Sequence, residues 1–202
     1  DETSEATSLS LLNCRLRNSG ATVLAAIHAD VNAVGCEFAE GGGGLVALQG
    51  GNHNFNHCTF ANYYLFAAIG GPAIAFSHFN GDTDDQSDYP YLTATIDNSI
   101  IYGLGPDLSH GDLSGTDIMI RNCLLKSDGS DDDNFISCVW NKDPLYYTVR
   151  NEYIFDYRLK DDSPAIGAAD PALTATEAAT DGYGLQRGQQ PDLGAYVYSS
   201  GN

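Results

Sequence analysis

The chain has 202 residues, of which 43% are hydrophobic, and a formal net charge of −18 from 27 acidic against 9 basic residues. That field repels nucleic-acid phosphates and anionic lipid surfaces, so nucleic acid is excluded as a partner. No apolar run reaches bilayer length and no long stretch keeps a 3.6-residue period, which excludes membrane insertion and a helical core.

From Leu9 onward a repeat sets in, centred on Cys14, Cys36, Cys58, Ser99 and Cys123, with 22 residues in each of its first two steps. Three residues before each centre stand Leu11, Ala33, Phe55, Ile96 and Ile120, and two after it Leu16, Phe38, Phe60, Ile101 and Leu125. Five before it stand Leu9, Val31, His53, Ala94 and Ile118. Each half alternates with period two, but parity slips between them, so a strand must bend and restart there. At the slip stand Asn13, Gly35, His57, Asn98 and Asn122, types that tolerate a left-handed backbone. Third strands fit the runs Val23 to Ile27, Leu45 to Leu48 and Phe66 to Ile69.

A period in the low twenties with three short strands predicts an all-β fold. The expected form is a right-handed single-stranded parallel β-helix with an irregular C-terminal cap. Its coils are assigned to residues 1–155 and its capping segment to 156–202 of the same domain. The ladder places the cysteines indoors as small stacked residues. Stacked neighbours lie about 4.8 Å apart with nearly parallel Cβ vectors, which disfavours a disulfide. No Cys or His pair has metal-ligand spacing. Asp97 and Arg121 share one outward position, two residues before Ser99 and Cys123, and are expected to pair.

Two insertions interrupt the period, near residues 80–92 and 127–134. The first carries Asp82, Asp84 and Asp88, followed by Tyr89 and Tyr91; the second carries Asp128 and Asp132. These carboxylates are hard oxygen donors suited to Ca²⁺, although neither loop completes an EF-hand, and no cofactor is required. The rings of Tyr63, Tyr64, Tyr89, Tyr91 and Trp140 are candidates to stack on sugars, with neighbouring Asp and Asn side chains bonding hydroxyls. No catalytic residue is assigned. Of the 27 acidic residues 21 are Asp, so proximity between some of them carries no information about a glycosidase pair.

Toward the C-terminus the segments Asn134 to Tyr146, Asp156 to Gly167, Asp181 to Arg187 and Pro191 to Tyr196 resemble the terminal segments of secreted bacterial parallel β-helix proteins. These have pectin-lyase-like folds and are common in Bacteroidetes. The resemblance implies an extracellular or cell-surface bacterial protein, exported through a signal outside these residues and associated with polysaccharide. It transfers no catalytic residue. Ala165, Ile166, Leu193, Ala195 and Tyr196 are expected to cover the end of the core, with Asp181 and Arg187 paired to hold that cap. At the other end the ladder is in phase by Leu9, so missing N-terminal coils or another subunit are expected to cover it. The function read from the sequence is a non-catalytic carbohydrate-associated module. The alternatives are a polysaccharide lyase or glycoside hydrolase of the same fold, and an adhesin or structural stalk.

Overall fold

The computed structural model describes residues 7–81, 90–151 and 153–200, the side chains of residues 150 and 151 excepted. The repeat becomes triplets of short strands. The first triplet is β1 (Thr7–Leu12), β2 (Arg15–Ser19) and β3 (Leu24–Ile27), and the second is β4 (Ala29–Val34), β5 (Glu37–Gly41) and β6 (Val46–Gln49). The third is β7 (Gly51–Asn56), β8 (Thr59–Asn62) and β9 (Ile74–Ser77). Pairs follow: β10 (Leu92–Asp97) with β11 (Ile100–Gly103), β12 (Ile118–Arg121) with β13 (Leu124–Leu125), and β14 (Phe135–Ile136) with β15 (Val139–Trp140). An antiparallel hairpin, β16 (Tyr146–Asn151) and β17 (Ile154–Leu159), comes last.

Strands of like position pair in parallel. One sheet runs β1-β4-β7-β10-β12-β14, a second β2-β5-β8-β11-β13-β15, and a third β3-β6-β9. Through the first three repeats the chain therefore visits the three sheets in turn, the later repeats adding strands to the first two, and the expected all-β character is what the structure has. Register stacks like residues: Leu9, Val31, His53, Ala94 and Ile118 align in the first sheet, and Leu16, Phe38, Phe60, Ile101, Leu125 and Trp140 in the second. Apart from the exposed Leu9 and the polar His53, their side chains meet in one apolar interior. At its centre the Phe38 and Phe60 rings stack 5.2 Å apart, with Phe55 edge-on to both.

The corner between the first two sheets is left-handed at every repeat, with φ of 50° at Asn13, 64° at Gly35, 50° at His57, 51° at Asn98 and 48° at Asn122. Ser137 adopts 55° as well, so Ser137-Cys138 is a sixth corner, with Phe135 and Trp140 in the matching inward positions. All five cysteines are free thiols. Their sulfurs lie on backbone carbonyls of the preceding strands, Cys58 on Ala33 at 3.4 Å and Cys123 on Ile96 at 3.3 Å, and Ser99 Oγ donates to Asp97 at 2.7 Å. Arg121 grips Asp97 in a two-pronged ion pair at 2.7 and 2.8 Å.

Three expectations are corrected. The third strand of the third triplet is Ile74–Ser77, not Phe66 to Ile69. Residues between β8 and β9 instead lie along the glycines at 41–44, where Gly70 donates to the Gly42 carbonyl and a Cβ on Gly71 would stand 2.4 Å from that of Gly43. Secondly, Ala165, Leu193, Ala195 and Tyr196, with Ile166 beside them, do not join the interior. They form a second apolar cluster with Ala39, Ala61, Ile100 and Leu124, on the outer face of the second sheet. The C-terminal segment thus runs back along the side of the strands, held to the corner column. Asn13 donates to Thr180, Asn56 to Leu173 and Asn98 to Asp170, and His57 bonds Thr174.

The third correction concerns Asp181 and Arg187, which make no ion pair. Asp181 accepts the amides of Tyr183, Leu185 and Val197, while Arg187 donates to the carbonyls of Asp192, Gly194 and Ala195. Each holds backbone that burial has separated from water. Burial also lowers the Arg187 pKa to about 10. Over the last repeat lies the 127–134 loop, with Gly129 so close to Trp140 that a Cβ would stand 2.3 Å from the indole.

Candidate functional site

The inward alternation of the first sheet dictates an outward one. Ser8, Asp30, Asn52 and Thr93 form one row across β1, β4, β7 and β10, and Ser10, Asn32, Asn54 and Thr95 the next. These side chains are exposed or half-buried, and all but Thr95 line a shallow depression of about 210 Å³. Hydrogen bonds order the rows. Thr93 Oγ1 donates to Asn52 Oδ1 at 2.9 Å, Asn52 Nδ2 to Asp30 Oδ1 at 3.2 Å, and Asn54 Nδ2 to Asn32 Oδ1 at 2.7 Å. The Asn52 amide N–H also donates to Asp30 Oδ1, at 2.8 Å.

Each amide keeps hydrogen-bonding capacity after this. Asn32 Nδ2 retains both protons, Asn54 one proton and its carbonyl oxygen, and Thr93 its lone pairs. Tyr91 precedes β10 with the outward parity of Thr93 and Thr95; its carbonyl accepts the Gly51 amide, and its side chain is 58% exposed. An exposed Tyr thus stands at the head of the strand that carries Thr93 and Thr95. Titratable chemistry is sparse here. Asp30 is committed to Asn52, and the His53 ring, turned inward onto the Gly50 carbonyl at 2.9 Å, has its pKa lowered by burial. Among the described residues of this face no two carboxylates oppose each other as an acid and base would.

The other sequence candidates are dispersed. Asp82, Asp84, Asp88 and Tyr89 lie outside the described residues. Tyr63 is buried, with its ring against Tyr146 and Tyr157 at 6.3 and 6.0 Å, so it presents no face to a sugar. Tyr64 is half-buried and edge-on to the exposed Phe66, which stacks in turn on Tyr153. Trp140 has Gly129 against its ring and Phe135 at 5.1 Å, and its Nε1 donates to Asp131. Partly buried, it packs against the end of the interior.

Asp128, Asp132 and Trp140 do border one cavity, of about 470 Å³, with Asp107, Lys126 and His110. Its polar groups are largely engaged. Asp132 accepts the amides of Asn134 and Phe135, Asp128 accepts Asn141 Nδ2, and Asp107 accepts both the amide and hydroxyl of Ser127. Lys126 Nζ donates to the carbonyls of Leu104 and Gly105. Asp131 accepts the amides of Ser137 and Cys138, so the acidic loop is stapled to the last corner by carboxylate-to-amide bonds. Among the described residues no three Asp, Glu, His or Cys side chains assemble as a metal-ligand set.

Sequence reasoning missed the polar rows of the first sheet. Their signal was present at the same period, four residues before each of the first four centres, as Ser10, Asn32, Asn54 and Thr95. Among the described residues, no helix is long and apolar enough to cross a membrane. Comparisons with protein-family models, with curated proteins and with solved structures find no match to this chain.

Proposed function

We propose that the chain is a right-handed parallel β-helix, displayed outside a bacterial cell, whose first sheet binds a polysaccharide without cleaving it. The observation that carries this reading is the double row of Asn, Ser, Thr and Asp side chains on one sheet face, with the exposed Tyr91 at the head of β10. Sugar hydroxyls both donate and accept, and the face offers both functions at the regular spacing of adjacent strands. A ring at its border suits the apolar face of a pyranose. The backbone beneath is held by parallel pairing on both sides of β4, β7 and β10, so little ordering entropy opposes binding. The rest of the fold is compatible with a β-helix because consecutive strands are assigned to successive sheets and like strands stack.

Binding of a polysaccharide panel by the protein and by its Tyr91→Ala and Asn54→Ala variants tests the reading. Each variant should weaken binding about three- to tenfold, the loss of one stacking or hydrogen-bonding partner. No reducing ends should accumulate on prolonged incubation. Product release abolished by replacing Asp128 or Asp132 would instead favour hydrolysis or lysis at the cavity beside Trp140.

A further inference from the structure

We infer that the polysaccharide recognised by the first sheet is neutral, not a polyuronate or a sulfated glycan; this rests on the binding reading above. The argument is electrostatic. Residues 18–120 contain no Lys or Arg, and every member of the two polar rows from Asp30 to Thr95 falls within that stretch. The described arginines are committed elsewhere. Arg121, on the next strand of the same sheet after β10, is locked in its two-pronged pair with Asp97. Arg17 is paired with Glu37 and Arg158 with Asp156, Arg15 lies over the rings of Tyr183 and Tyr196, and Arg187 is buried among carbonyls.

Asp30, the one Asp, Glu, Lys or Arg that lines the depression, is negative, and burial lowers the pKa of the neighbouring His53. A polyanion docking here would therefore meet Asp30 and the field of a chain at −18, with no Lys or Arg among the described residues that line the depression. Each carboxylate would also shed water in exchange for amide donors alone, a poorer partner than a guanidinium. Hydroxyl groups avoid both penalties. The amide and hydroxyl rows supply donors and acceptors in mixture, the pattern that a neutral polyol completes and a carboxylate, which only accepts, leaves half unpaired.

The test measures retention of neutral glucans, mannans and xylans against polygalacturonate, alginate and heparin, from about 50 to about 500 mM NaCl, with and without Ca²⁺. The retained members should all be neutral, with affinities changing less than about twofold across the salt range and falling about three- to tenfold in Asn32→Ala and Asn54→Ala. Retention of polygalacturonate, alginate or heparin that is lost in those variants, with or without Ca²⁺, overturns neutrality while leaving the face as the binding site. Retention unaffected by either variant removes the face itself, and no retention at all removes the binding reading with it.

Discussion

The first and second sheets are built from the same repeats in the same register, yet their outer faces have opposite fates. Outward from the first stand Ser10, Asn32, Asn54 and Thr95, accessible to solvent. Outward from the second stand Ala39, Ala61, Ile100 and Leu124, sealed beneath the hairpin and the C-terminal segment. The difference is local in origin. In β10 apolar and polar residues alternate, whereas β11 and β13 begin Ile100-Ile101 and Leu124-Leu125, adjacent apolar pairs that require burial on both faces. One scaffold thus offers a bare polar face for a ligand and an apolar face for its own chain.

The largest effect should come from breaking the covered face. Ala61 is fully buried there, and Ala61→Asp would place a carboxylate against the Tyr157 and Tyr196 cluster without a countercharge. A stability loss of about 2 kcal/mol or more is expected in urea unfolding. The equivalent insult on the bare face, Asn54→Asp, should shift the midpoint little. Equal losses would show that the two faces are not distinct.

A smaller effect sharpens the same contrast through pH. Beneath the covering segment Glu40 is buried and bonded to the Tyr157 hydroxyl, near Glu37 and Arg17, and burial raises its pKa from 4.5 to about 7. Between those values the folded chain holds a proton that the unfolded chain has released. The Glu40 contribution to stability is therefore present below about pH 4.5 and lost as pH rises through about 7. Glu40→Gln, which keeps an acceptor for Tyr157, should be more stable than the parent at pH 8 and nearly equal to it at pH 4.5. A parent-to-variant difference independent of pH would remove Glu40 from this account.

The interior was legible because one period fixes it. Leu11, Ala33, Phe55, Ile96 and Ile120 repeat at a constant offset from a corner that only a few residue types tolerate, and sequence position alone sets their register. The path of the C-terminal segment was not legible by that logic. Its partners, Asn56 with Leu173 or Glu37 with Tyr196, are more than a hundred residues apart and share no period. The adjacent apolar pairs after Ser99 and Cys123 did announce a covered face, but not what covers it. Asp181 and Arg187 looked like an ion pair because their charges are opposite, whereas backbone amides engage the one and backbone carbonyls the other. The polar rows were legible too, once the period was read outward as well as inward, since Asn32 and Asn54 are as regular as Cys36 and Cys58. Tyr63 misled because a Tyr beside a loop has the same sequence signature whether it faces a sugar or, as here, Tyr146 and Tyr157.

The most direct test of a bare binding face follows the Asn side-chain amides of ¹⁵N-labelled protein during titration with the neutral polysaccharide it retains. The signals of Asn32, Asn52 and Asn54, on the open rows, should shift with saturation. Those of Asn56 and Asn98, held by Leu173 and Asp170 under the covering segment, should stay in place. Shifts confined to Asn56 and Asn98, or none on the open rows at saturation, would contradict the assignment of the first sheet as the site.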